Sequence, residues 1–504
     1  MESLAIPQNK IHCKGLSGSV VSIIIQSVFK KAEQPFLLVF NEKEEAAYYL
    51  NDLEQMLGQN DVLFYPSSYR RPYQIEETDN ANILLRSEVL NRINSRKKPS
   101  IIVTYPEALF EKVVTKKELD KNTLKVAVGD NISIDFINEV LFEYEFKRVD
   151  FITEPGEFSV RGGIVDVFSF SNDNPYRIEF FGNEVDSIRT FDVESQLSVE
   201  KQNKITIIPN LENKFIKENR ESFLDYINDK TILWIENTEM VLAQLDKLFE
   251  KATETFDKLS KDIKHASPEH LFLNQEGFLR KALDFSIVEL TNKPLFKTSK
   301  TFEFHIQPQP SFNKQFDLLL NNLSDNHFNG ITNYLFCSNE NQANRFHDIF
   351  ESLDEENHED IRKQYHTVVQ PLYEGFVDEE HQVACYTDHQ IFERYHKFSI
   401  KNSYSKKQTI TLKELNSLSV GDYVTHIDHG IGKFGGLQKI QVEGKTQEAI
   451  KLVYADNDIV YVSIHSLHKI SKYNGKDGTP PKIYKLGSNA WKVLKQKTKA
   501  RVKH

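Results

Sequence analysis

The sequence predicts a multidomain α/β protein. An antiparallel β module interrupts its first α/β domain, a small α/β domain follows, and a small bent β-barrel of the SH3 or Tudor kind comes last. Three observations predict this. Over residues 1–125, and again over 210–308 and 313–400, short apolar runs of β-forming residues alternate with helical stretches, the signature of parallel sheets covered by helices. Residues 126–209 switch to two-residue alternation with glycine turns. Residues 411–475 make the same switch with denser glycine punctuation.

The elements follow in order. Residues 36–40, 62–65 and 101–104 read as strands, with helices between them at 43–57 and 80–95. The α/β pattern resumes after the module, with a strand at 232–235 and a helix at 239–251, so the module reads as an insertion. Gln307-Pro308-Gln309-Pro310 reads as a linker. Beyond it come a strand at 334–337, a helix at 342–353 and a strand at 383–386, then the polar run KNSYSKKQ. The runs LSVGDYVTHIDHGIGKFGGLQKIQ, EAIKLVYAD and IVYVSIHSL supply the short strands of the terminal barrel.

A length of 504 residues implies several domains. The net charge of −10 argues against a chain that coats nucleic acid along its whole surface. Positive charge is concentrated at one end: residues 469–504 hold eleven Lys or Arg and one acid, Asp477. Cys13, Cys337 and Cys385 are far apart and lack pairing or metal spacing, which fits a reducing cytoplasm. The apolar runs are too short to span a bilayer, so no membrane partner is expected.

The module carries the most informative face. Along YRIEFF, Ile178 and Phe180 alternate with Arg177, Glu179 and Phe181. Gly182-Asn183 makes a tight turn into the next strand, whose Val185 joins the apolar side while Glu184 and Asp186 join the other. Upstream, Glu157, Ser159 and Arg161 alternate against Phe158 and Val160. A large aromatic beside an arginine on a charged face has the composition of a protein-binding hot spot. Pattern alone leaves two readings of Phe181: an exposed anchor, or a ring covered by a neighbouring helix.

RGGIVDVF followed by YRIEFFGNEVDSIRTFD resembles the module shared by the excision-repair protein UvrB and the bacterial transcription-repair coupling factors. The resemblance implies that this module docks UvrA, with the contacting arginines falling on Arg161 and Arg177 and the aromatic contact on Phe181. It also implies that the surrounding domain is UvrB-like and degenerate. HIDHGIGKFGG, YADNDIVYVSIHSLHKISKY and KLGSNAW resemble the CarD-like RNA polymerase interaction domain of the same family, with Ser463 where many members carry proline. The implied contact to the polymerase β subunit is an exposed aliphatic residue with adjoining strand backbone. Motif alignment places it at Ile440, with Leu437 and Lys439 beside it. The other reading of Ile440 is simply barrel core.

The chemistry of a motor is not visible. The phosphate loop G-x-x-x-x-G-K-[ST] is not found; Gly444-Lys445-Thr446 supplies its last letters, but Lys439 stands where the first glycine belongs. Lys14-Gly15-Leu16-Ser17-Gly18-Ser19 sits in a better context, between strand and helix, yet lacks the lysine after Gly18. It resembles a decayed nucleotide loop. Asp378-Glu379-Glu380-His381 imitates a helicase acidic box but precedes its strand, and reads as a solvated turn. His426 and His429 lack the further ligands a zinc site needs and read as partners in local hydrogen bonds.

The tail with Trp491, Lys492, Lys495 and Lys499 reads as a basic helix, more simply a solvated face than a DNA contact. The family continues beyond this pattern into an ATP-driven DNA translocase. The sequence is therefore expected to be a non-enzymatic, cytoplasmic adaptor for UvrA and the RNA polymerase β subunit. It needs no cofactor of its own, with ATP, magnesium and most duplex DNA contact belonging to the motor. The rival expectations are a UvrB-type helicase and a CarD-like transcription regulator without a repair role.

Overall fold

Strands that read as unbroken apolar runs have no solvent face and must be covered on both sides. The first of two compact units, residues 1–122 with 211–402, is built that way. The computed structural model describes residues 7–68, 73, 80–96, 98–193, 195–210, 219–259, 266–353, 362–394, 418–426, 429–442, 445–463, 470–472, 483, 485 and 486. A seven-stranded sheet runs in the order Lys300–Glu303, Lys10–Lys14, Ser286–Glu289, Ile232–Ile235, Phe36–Val39, Ile101–Thr104, Val62–Phe64. Every pairing in it is parallel. The central strands Phe36–Val39, Ile232–Ile235 and Ile101–Thr104 are buried at every position. The helix Lys43–Leu57 turns Ala46, Ala47, Leu50 and Leu53 inward at helical spacing.

A second sheet in this unit has the order Ile306–Pro308, Phe376–Asp378, Val383–Thr387, Thr332–Cys337, Tyr365–Val369. Residues 307–310, expected as a linker, therefore begin with an edge strand antiparallel to Phe376–Asp378. Proline is tolerated there because an outer strand leaves one row of N–H groups unused. This small α/β domain has its own core, including Leu319, Leu335, Phe346 and Tyr386. It also shares a second cluster with the first domain, where Phe376 and Cys385 pack on Val20.

The other unit comprises residues 123–210 and 403–504. In its first part the strands run in the order Ser198–Gln202, Glu184–Phe191, Tyr176–Phe181, Ile164–Val167, Glu157–Arg161, Lys147–Arg148. The pairings are antiparallel except the last, a short parallel one. Helix Ile134–Glu143 starts on Ser133, whose hydroxyl accepts from the Phe136 N–H, and buries Ile137 and Leu141. In the second part the strands run in the order Ile459–Ser463, Lys445–Val453, Gly430–Val442, Tyr423–His426, Ile470–Lys472, antiparallel throughout. Val424, Phe434, Ile450, Leu452 and Val462 form its core. Among the described residues the two outer strands do not pair, so an antiparallel sheet is shown where a closed barrel was expected.

The interior of the first unit holds a charged knot around Arg86. Arg86 is 1% exposed. Its Nη1 donates to the carbonyls of Pro66 (2.9 Å) and Ala108 (3.2 Å), and its Nη2 lies 3.2 Å from Glu111 Oε2. Glu111 in turn accepts from the backbone N–H (2.9 Å) and hydroxyl (2.7 Å) of Ser68. Removing one partner of such a pair strands the other charge away from water. Arg86→Met is expected to cost about 3–5 kcal/mol in urea unfolding, with part of that recovered in Arg86→Met/Glu111→Leu.

A second knot is acidic. Burial, followed by the hydrogen-bonded carboxyl of Glu236, pushes the Glu45 carboxyl from its ordinary 4.5 up to about 8. The folded state therefore holds a proton that the unfolded chain releases, and this contribution is complete below about 4.5 and lost as pH rises to about 8. The thermal midpoint of the unit is expected to fall across that window, and Glu45→Gln to flatten the slope.

Candidate functional site

The site starts with the four residues Ile164–Val167. Val165 and Val167 are fully buried on the core side of the sheet, which sends Asp166 to the other face. Its neighbours there are fixed by register: Ser159 lies opposite on one side and Arg177 on the other, with Arg189 and Lys201 further along the same row. Arg177 donates to Asp166 through Nε (2.7 Å) and Nη2 (2.9 Å), a bidentate fork. Arg161 reaches the same carboxylate through Nη2 at 2.5 Å. The Asp166 side chain is thereby roofed to 2% exposure, while Arg161 keeps 42% and Arg177 16%. The hydrogen bonds to Asp166 raise the Arg177 pKa further above its usual value, so the guanidinium is permanently charged.

Rings hold both arginines from the side. The Arg161 guanidinium lies 5.1 Å over the Phe151 ring and that of Arg177 4.4 Å over Phe191. Phe191 is anchored in a small cluster with Ile152 and Phe168. A second pair, Arg189 with Glu179, stands alongside, and the Ser187 hydroxyl donates to Glu179 at 2.7 Å.

Phe181 lies at the end of its strand, beyond a register shift between Glu179 and Phe180. The shift keeps Phe180 opposite buried Val185 and leaves Phe181 opposite Glu184. Gly182 makes the turn at φ +63°, a conformation that glycine adopts without strain. Phe181 is 84% exposed. Of its two sequence readings, the covered ring is set aside.

Arg161, Arg177 and Phe181 therefore share one face, as expected. Sequence reasoning missed Asp166, which in IVDV looks like an ordinary solvated position, and it missed the Glu179–Arg189 pair. The available signal was an acid between core valines with two arginines due on the adjacent strands.

Leu437 is 42% exposed and lies opposite Ile450 just after a bulge. Lys439 and Ile440 stand on the strand Gly430–Val442, opposite Glu448 and Gln447, and their side chains lie outside the described residues. Tyr423–His426 covers only residues 430–433 of that strand. Among the described residues its second half has a partner on one edge alone. Lys492, Lys495 and Lys499 lie outside the described residues.

Three sequence readings of catalytic look-alikes can be compared with the geometry. Asp378 accepts from the N–H and Nδ1 of His381 (3.0 and 2.9 Å) in an exposed turn. The His429 N–H donates to His426 Nδ1 at 3.3 Å, and the two rings stack. Residues 14–19 join a strand to a helix, as expected.

Asp166→Asn keeps the shape and removes the charge that both arginines share. It is expected to cost about 1–3 kcal/mol, read as faster amide exchange along residues 157–191.

Comparison with known proteins matches two parts of the chain to family models: the UvrB interaction domain at residues 124–212 and the CarD-like/TRCF RID domain at residues 418–474. Similar proteins include the transcription-repair-coupling factors of Bacillus subtilis (26% identity over 97% of this chain and 47% of the relative), Rickettsia bellii (25%, 95% and 47%) and Haemophilus influenzae (24%, 95% and 46%). The chain spans about half the length of these curated relatives. No described helix is long and apolar enough to cross a membrane. The chain is thus related, over nearly its whole length, to the amino-terminal half of the transcription-repair coupling factors.

Proposed function

We propose that this chain is an adaptor for transcription-coupled DNA repair, gripping UvrA with the inserted sheet and the β subunit of RNA polymerase with the terminal one. The observation that carries the reading is the face on which Arg161 and Arg177 are held by one buried carboxylate, with Phe181 84% exposed on the same side. It lies within the segment matched to the UvrB interaction domain. Two oriented guanidiniums suit acceptor groups on a partner, and an exposed ring suits an apolar pocket.

The terminal sheet suits strand addition. Among the described residues, 435–442 offer backbone groups along one edge, and the exposed Leu437 is nearby. In this reading the sheet belongs to a small bent barrel, Ile440 is the aliphatic anchor and Lys439 adjoins it. The chain acts by binding and performs no hydrolysis. ATP, magnesium and the main hold on duplex DNA belong to the motor of the whole family protein, with Lys492, Lys495 and Lys499 as an auxiliary phosphate contact. The cytoplasm is its compartment.

The Arg161→Ala/Arg177→Ala/Phe181→Ala variant is expected to lose UvrA in a titration while still binding polymerase. Retained UvrA affinity would sink the assignment, and polymerase binding without UvrA binding in the parent would favour a CarD-like regulator. Ile440→Arg is expected to cost about 2 kcal/mol or more of β-subunit binding, measured by pull-down of the subunit's amino-terminal lobes, with UvrA binding unchanged.

A further inference from the structure

The turn leaving the strand Lys10–Lys14 has the build of a phosphate seat. Gly15 and Gly18 take φ of +77° and +62°, and Ser19 precedes the thirteen-residue helix Val20–Ala32. In an open parallel sheet, ligands bind beyond the carboxyl ends of the strands, and the first N–H groups of a helix aim at an anion there. In this protein that space is taken by the chain itself.

The segment that fills it comes from the small α/β domain. The Ser19 N–H donates to the Glu374 carbonyl at 3.0 Å, and the Glu374 N–H donates back to Ser19 Oγ at 3.0 Å. Ser19 Oγ itself donates to Asp52 Oδ2 at 2.6 Å, and Ser22 Oγ reaches the same oxygen at 3.3 Å. The Tyr373 N–H donates to Asp52 Oδ1 at 2.8 Å. The Tyr373 ring stacks on Tyr48, with centroids 4.0 Å apart and planes 6° off parallel. A Cβ on Gly18 would sit 2.8 Å from the Gly375 carbonyl oxygen, so the segment lies hard against the turn. Phe376 and Cys385 then bury with Val20 beneath it.

Charge selects the same occupant. Asp52 is fully buried on the helix Lys43–Leu57. Burial, opposed by bonds from Ser19, Tyr373 and Ser22, moves its carboxyl up to about 7. Glu42, Glu45, Glu236 and Glu374 crowd the same crevice. Every carboxyl of this crowded set that ionises would oppose a phosphate brought there, whereas a neutral peptide carbonyl satisfies the helix N–H without that repulsion.

We propose that the turn at residues 15–19, together with Asp52, is a docking socket whose ligand is the segment 372–376, seated where a nucleotide phosphate would otherwise lie. The socket clasps the small α/β domain to the first sheet and closes the crevice to nucleotides. This inference is independent of the UvrA and polymerase reading.

The test is amide exchange on the whole chain, followed by mass spectrometry. Asp52→Ala is expected to speed exchange of residues 16–23 and 372–377 together by about tenfold or more, with residues 124–207 unchanged. Ser19→Ala, a smaller lesion, is expected to act in the same direction and serves if Asp52→Ala does not fold. Tyr373→Ala, placed on the segment, must loosen residues 16–23 in return. A fluorescent ATP analogue with magnesium is expected not to bind the parent. If either socket variant folds and residues 372–377 keep their parental protection, or if the analogue binds the parent without disturbing that protection, the proposal is overturned.

Discussion

One buried carboxylate decides what the inserted sheet presents. Asp166 lies between two core valines and would be an uncompensated charge without Arg161 and Arg177 above it. Burying a charge is costly unless it is paired and hydrogen-bonded. Both guanidiniums are drawn in over it, and each arginine loses much of its rotamer freedom in advance of any partner. The aromatic rings of Phe151 and Phe191 restrict them further. Order that is established during folding does not have to be established at binding.

The first unit shows a related economy. After the first strand of its parallel sheet comes a turn into a helix, where the Ser19 N–H and hydroxyl bond the peptide groups of Glu374 while the nearby Asp52 accepts from the Tyr373 N–H. Helix N–H groups must find acceptors somewhere. For the first of these groups, the Ser19 N–H, the acceptor is the Glu374 carbonyl of a neighbouring loop.

Much of this architecture could be read from the sequence because period and burial coincide in it. Residues 36–40 are an unbroken apolar run, and their strand Phe36–Val39 is buried at every position. Residues 43–57 repeat at helical spacing and are helical over that span. The alternation from Arg177 to Phe181 places both on one face, and Phe181 at 84% exposure decides between its exposed and covered readings. The misses have physical causes. Proline signals a break, yet Pro308 fits an outer strand that needs no N–H there. Asp166 and Asp52 look solvated by residue type, and only tertiary partners explain their burial. Arg86, the bulkiest of the fully buried side chains, sits in a helix whose polar residues give no hint that it faces inward.

The arginine face also sets the kinetics open to this protein. Two positive groups share one negative group, and Arg189 is matched by Glu179, so the cluster Arg161–Asp166–Arg177 carries a single net positive charge. So small a field is largely screened within about 8 Å at physiological ionic strength. A partner would arrive there at ordinary diffusional speed, little hastened by attraction at long range, and tight association would have to come from slow departure once the ring and the fork are seated.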